Sequence, residues 1–194
     1  MTSKYRYIGT GNERSLVISD VDALWAMRMC VGEGGHSCTV EKASAMLWAM
    51  AYRYLLKPAR FWRKPFYKLL RSFSQPINPA WMAGGRFVMR YLSNPIKWHR
   101  TKEAVSLKRQ NRRAYYCSLK LSDIPTQIKI TVIAFKAGKL SVPFIFHTVT
   151  KQRISNWASL QSTPELYPWG LDINGDWFFE DEKLLPGSIE VVND

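Results

Sequence analysis

Apolar residues recur at helical spacing in the first third of the chain. Val21, Leu24, Trp25, Met27 and Val31 include i, i+3 and i+4 steps behind Ser19-Asp20-Val21-Asp22, where a Ser or Asp cap and an acid in the first turn mark a helix start. Gly32, Gly34 and Gly35 then supply a stop. Thr39 caps a second predicted helix running to about Leu56, with Ala43, Met46, Leu47, Met50 and Tyr54 on one face and Pro58 ending it. The aromatic and basic stretch 59–71, with Phe61, Trp62, Arg63, Lys64, Phe66, Tyr67 and Lys68, predicts a third helix, with Pro65 where a short helix can begin. Residues 72–81 hold Pro76 and Pro79, each disfavouring helix at the residue before it, and predict an ordered loop. Asn78 as cap and Pro79 at the first helical position start a fourth helix, interrupted at Ser93-Asn94-Pro95 before the Lys/Arg-rich stretch to Arg113. Residues 124–137 mix β-branched side chains with helix signals, Asp123 and Pro125 before and Gly138 after. Ile128, Val132 and Phe135 decide for helix. After Leu140 the pattern predicts loops with a few short strands. The expected fold class is mainly α: a single domain over 1–194, with an N-terminal arm over 1–18 and an irregular acidic C-terminal extension over 141–194 containing short strands. No internal repeat or low-complexity linker divides it.

Composition narrows the class. At 194 residues and 46% hydrophobic, the chain is long enough to bury a core without disulfides or metal. Apolar runs such as 131–135 and 142–146 fall far below the roughly 20 residues that cross a bilayer, so no transmembrane segment is expected. The polar, basic start Met-Thr-Ser-Lys-Tyr-Arg-Tyr precedes no apolar core with a cleavage site, so no cleaved export signal is expected either. Cys30, Cys38 and Cys117 are too few for a disulfide scaffold. Cys30, His36 and Cys38 lie close in sequence but lack the four ligands at finger-like spacing that structural zinc wants, and packing thiols are the expectation. No metal and no cofactor are predicted. Charge is uneven: residues 42–120 carry 18 Lys or Arg against the single acid Glu103, while residues 165–194 carry eight acids and one Lys. A basic middle of this kind predicts a polyanionic partner, whether nucleic acid, an anionic membrane surface or a phosphate-bearing wall polymer, or else a solvated basic face.

Few residues are equipped for chemistry. His36, His99 and His147 fall in no nucleophile-elbow, zincin or phosphate-loop pattern, which excludes hydrolases and NTPases built on those motifs. The sharpest local feature is Val31-Gly32-Glu33-Gly34-Gly35, a lone carboxylate at the end of an apolar helix. The partial negative charge at a helix C-terminus disfavours its ionised form, and apolar neighbours such as Trp25, Trp48 or Trp81 would push its pKa further up. A carboxylic acid kept protonated near neutral pH is what a glycosidase uses to protonate a leaving sugar oxygen. The plain alternative is a helix cap with an exposed Glu.

The segment Ala26-Met27-Arg28-Met29-Cys30-Val31-Gly32-Glu33-Gly34-Gly35, followed by the Ala/Trp/Met-rich helix over 41–54, resembles the opening of lysozyme-like cell-wall hydrolases and lytic transglycosylases. These include phage-encoded members and the spore-cortex and cell-wall lytic enzymes. The likeness covers about 35 residues and extends more weakly through 72–81 and 170–179. It implies a lysozyme-like helical domain acting on peptidoglycan, with Glu33 as general acid and Gly34 and Gly35 letting substrate approach the backbone. Gln75, Asn78, Tyr115 and Tyr116 are candidate polar or stacking contacts for amide-bearing sugars. The aromatics Trp62, Phe66 and Tyr67 are core residues or a stacking face. Lytic transglycosylases manage with one acid, because a substrate hydroxyl closes an anhydro ring. Hydrolysis needs a second carboxylate, for which Asp172 and Asp176 in Gly-Leu-Asp-Ile-Asn-Gly-Asp are the candidates. His147 is a remnant of a second motif of the spore-cortex relatives or a core histidine. Two functions stay open: a muramidase or lytic transglycosylase acting on the host envelope after delivery by a virion or tail assembly, and a basic virion structural or nucleic-acid-binding protein using residues 42–120.

Overall fold

The computed structural model describes residues 3–9, 13–57, 63–78, 112–141, 154–159, 170–180 and 184–193. The expected fourth helix with its break at 93–95, and Pro58, Phe61, Trp62, Trp81, His99 and His147, lie outside them. Helices dominate the described residues, joined by two small three-stranded antiparallel sheets, so the architecture is mixed α/β with a helical majority.

Helix α1 spans Asp20–Gly34. Ser19 caps it: the Asp22 backbone N–H donates to Ser19 Oγ at 3.1 Å, and the Ser19 N–H donates to Asp22 Oδ2 at 3.0 Å. The same carboxylate serves a second helix, for Asp22 Oδ1 accepts from the Tyr67 N–H at 2.6 Å. That bond substitutes for a cap in helix α3, Phe66–Phe73, which starts behind Pro65 and has no side-chain cap of its own. Ser19→Ala is therefore expected to cost about 1 kcal/mol of stability. A urea midpoint equal to that of the wild type would show that the cap contributes nothing here.

Helix α2, Val40–Leu56, begins at the Thr39 cap as its sequence predicts, but it does not present one apolar face. Nearly every residue from 42 to 56 is buried, so α2 is the central helix of the core and is packed on all sides. Helix α4 covers residues 112–118, and α5, Thr126–Lys136, buries Ile128, Val132 and Phe135 as expected. Among the described residues no helix is long and apolar enough to cross a membrane.

Residues 3–8 form a strand within the expected N-terminal arm, and short strands lie within 141–194, as expected there. Strand β1, Ser3–Ile8, pairs antiparallel with β2, Ser15–Val17, on one side and with β6, Ser188–Asn193, on the other. Ser3, Tyr5 and Tyr7 point inward while Lys4 and Arg6 point out, the period-two pattern of a strand covering a core. Tyr5 is fully buried, packs its ring on Phe135 and Trp48 at centroid distances of 4.8 and 5.6 Å, and donates its hydroxyl to the Phe135 carbonyl. The first strand and the last are thus fastened together onto α2 and α5.

The second sheet orders β3 (Asn156–Ser159), β5 (Asp176–Phe179) and β4 (Leu171–Ile173) with β5 in the middle. Asn174 and Gly175, both at positive φ (52° and 84°), form the two-residue turn between β4 and β5. This hairpin lies against the start of α2. Asn174 Nδ2 donates to Thr39 Oγ1 at 2.6 Å, and Lys42 Nζ donates to the Asn174 carbonyl at 3.4 Å.

Candidate functional site

Helix α1 runs three residues beyond Val31, so Glu33 sits in its last turn, and Gly35 at φ 72° closes the helix with its N–H on the Val31 carbonyl. Gly32 makes room beside it. A Cβ there would come within 2.7 Å of Pro76 Cβ, so glycine lets the short 3-10 turn Gln75–Ile77 lie directly on the end of α1. Ser74, just before that turn, then donates its hydroxyl to Glu33 Oε1 at 2.6 Å. The Trp157 indole on β3 lies beside the same carboxyl group and favours its ionised form.

These neighbours act in opposite directions on the Glu33 proton. Burial raises its pKa above the ordinary carboxylate value and is the largest influence; the Ser74 hydrogen bond opposes it, the charge of Asp176 adds to it, and Lys42 and Trp157 oppose it. The net direction is upward. Neither Trp25 nor Trp48 lines the cleft onto which Glu33 opens. Trp25 lies about two turns back along α1, between the guanidinium groups of Arg28 and Arg71 at 4.6 and 4.4 Å. Trp48 packs in the core and donates its Nε1–H to the Ser141 carbonyl at 3.0 Å.

Glu33 opens onto a cleft of about 740 Å³. One wall is the end of α1 with Phe73, Gln75 and Pro76; another is the β-hairpin side with Asn156, Trp157 and Asp176; the third is α4 with Arg112, Arg113 and Tyr116. Phe73 and Trp157 meet edge to face at 5.0 Å, and Trp157 stacks on the fully buried Phe178 at 6.0 Å. The Arg53 guanidinium covers the Phe73 ring at 4.0 Å and donates to the Ser155 carbonyl at 2.8 Å. The cleft floor is therefore aromatic and braced from behind. Asp176 is tied to Lys42 by an ion pair of 2.8 Å, with the two side chains 22% and 11% exposed.

Of the residues singled out in the sequence, Glu33, Gln75, Tyr116 and Asp176 come together in this cleft. Gly34, Gly35, Asn78, Tyr115 and Asp172 do not line it. Gly34 serves turn packing, since a Cβ there would meet Cys38 Sγ at 2.4 Å. Asn78 is buried and donates to the Ser72 carbonyl at 2.9 Å, bracing the loop. Tyr115 is half exposed, with its hydroxyl 3.0 Å from His36 Nε2. Asp172 accepts from the Gly175 N–H at 2.9 Å and closes the hairpin turn. Cys30 and Cys38 are buried thiols whose pKa burial pushes up, that of Cys38 to about 11. Among the described residues no group of three His, Cys, Asp or Glu is placed to hold a metal ion.

Ser74, Trp157 and Lys42 carry no motif, and their place beside Glu33 or Asp176 is a tertiary fact. Asn174-Gly175 did carry one, the strongest short-range hairpin signal, and it locates Asp176 at the start of a strand. Comparison with family models, with curated proteins and with solved structures finds no match to this chain.

Proposed function

We propose that this protein cleaves the glycan strand of peptidoglycan, as a muramidase or a lytic transglycosylase, with Glu33 as the general acid. The observation that carries this reading is a buried carboxyl group with a raised pKa, opening onto an aromatic cleft whose facing carboxylate is ion-paired. In the first step Glu33 donates its proton to the glycosidic oxygen as the bond to the sugar breaks. Positive charge then develops on the ring carbon and oxygen, and the Asp176 carboxylate faces the cleft in which it forms. Water or the substrate's own hydroxyl then forms the new bond to that ring carbon and gives its proton to the Glu33 carboxylate, which restores the acid. By its likeness to phage-encoded members, the protein acts on the host envelope, delivered by a virion or tail assembly.

The alternative of a nucleic-acid-binding or virion structural protein draws on the basic middle of the chain. Within the basic middle, Lys42, Arg53 and Arg71 are engaged in contacts within the fold, whereas Arg63, Lys64, Lys68, Arg112 and Lys120 are exposed. Digestion of purified peptidoglycan with mass analysis of the fragments tests the proposal. Anhydro-sugar ends identify a transglycosylase, and Asp176→Asn then retains cleavage. Reducing muramic-acid ends identify a muramidase, and Asp176→Asn then loses about a hundredfold or more in rate. Absence of any fragment from the folded wild-type protein overturns the proposal. Salt-sensitive binding to DNA or RNA would then favour the structural role.

A further inference from the structure

We infer that Trp25 and Arg28 of α1, with Arg71 of α3, form a binding site for a phosphate dianion, separate from the Glu33 cleft and independent of what Glu33 does. None of the three lines that cleft, and all three are half-buried. The guanidinium carbons of Arg28 and Arg71 lie 4.6 and 4.4 Å from the centroid of the one Trp25 ring. Two cations so held repel each other, the more so where water is partly excluded. Burial and the charge of Arg71 both press the Arg28 pKa down, a sign of the same repulsion. No acid relieves it: among the described residues no carboxylate pairs with Arg28 or Arg71. Asp22, three residues before Trp25, has its two oxygens on Ser19 and on the Tyr67 N–H.

The donors left over set the ligand. Arg28 gives its Nε and one terminal amino group to the Leu119 carbonyl, at 3.0 and 2.9 Å, and keeps its other amino group. Arg71 makes no hydrogen bond among the described residues. Its Nε is closed off from solvent with no acceptor, so its donors for a ligand are the two terminal amino groups, a planar fork that fits two oxygens of one phosphate. An arginine held half-buried without an acceptor is destabilising, and a bound anion relieves it. Charge balance picks phosphate over carboxylate. A phosphate dianion brings about two negative charges and three acceptor oxygens to the two guanidinium groups, whereas a carboxylate offsets only one of them. Lys68, exposed and three residues before Arg71 on α3, adds a further cation on that side of the helix. Arg113 of α4 has a partner of its own and does not enter this balance. Free phosphate and the phosphomonoester end of a larger molecule offer the same chemistry.

Titration calorimetry on the full chain, with inorganic phosphate and with glycerol phosphate in chloride buffer of fixed ionic strength, tests the site. The wild type is expected to take up a single phosphate per chain. Arg71→Met keeps an apolar stem on Trp25 and breaks no hydrogen bond, and it should bind about tenfold more weakly, the worth of one charge-assisted contact. Arg71→Lys keeps the charge without the fork and should fall between, which preserves the test if the Met variant does not fold. Lys139→Gln removes a charge from an exposed position past the end of α5 and should stay within about twofold of the wild type, because a distant surface charge is screened. Absence of saturable uptake by the folded wild type overturns the inference, as does undiminished binding by the Arg71 variants. A loss in Lys139→Gln equal to that in Arg71→Met would show net charge alone at work and overturns it too. With the Arg71 dependence in place, tighter binding of glycerol phosphate assigns the site to a phosphomonoester, and tighter binding of inorganic phosphate assigns it to the free ion.

Discussion

Glu33→Gln is expected to lower glycan cleavage by about a hundredfold to ten-thousandfold, the range attributable to a positioned general acid. The amide keeps the size of the side chain and an oxygen to accept from Ser74, so the site stays assembled, but it has no proton to give. In the wild type the rate should fall on the alkaline side as Glu33 ionises. Burial, with Asp176 adding to it, moves that limb upward from where an ordinary carboxylate would put it. Stability carries the same signature. Because the folded-state pKa is raised, the contribution of Glu33 is fully present below its unfolded value and is lost as pH rises through the folded value. Glu33→Gln should therefore match the wild type in urea unfolding at about pH 4 and be the more stable of the two at about pH 8. Undiminished turnover by the purified variant would remove Glu33 from the mechanism.

Breaking the Lys42–Asp176 pair should have the largest effect on stability among the site variants. Lys42→Met leaves a carboxylate only 22% exposed without its cation. The expected loss is about 2–3 kcal/mol, somewhat below the ~3–5 kcal/mol of a fully buried pair because some solvent reaches Asp176. The contact from Lys42 Nζ to the Asn174 carbonyl goes with it, and the hairpin keeps its tie through Thr39. Catalysis should register the same change. Lys42 lowers the Glu33 pKa and Asp176 raises it, so removing only the lysine moves the alkaline limb of the pH–rate profile to higher pH. Combining Lys42→Met with Asp176→Asn removes both charges and should recover much of the stability and bring the limb back. A double variant no more stable than Lys42→Met would show that the pair does not hold the hairpin to α2.

Local chemistry is what made parts of this molecule readable in advance. Ser19 and Asp22 at the head of α1, Thr39 at the head of α2, and the Ile128, Val132 and Phe135 spacing in α5 are signals carried within a turn or two of helix, and the structure follows them. The alternation of Ser3, Tyr5 and Tyr7 also stood in the sequence. Its meaning as a strand depended on residues 188–193 at the other end of the chain, and it reads as an arm until that pairing is seen. Likewise α2 shows an apolar face by periodicity, yet it is buried on every side because both sheets and three other helices close around it.

The sequence by itself determined that a carboxylate would stand at the end of α1 among glycines, since helix caps and stops are short-range matters of backbone geometry. Only the tertiary structure decided its environment. Ser74 lies 41 residues away in the chain, and Trp157 and Asp176 arrive from a separate sheet. It also chose between two acids four residues apart: Asp172 turns to the hairpin backbone while Asp176 faces the cleft beside Lys42. Burial and the placement of opposing charges set the proton affinity of Glu33, and both come from groups remote in sequence, so no local pattern could specify them.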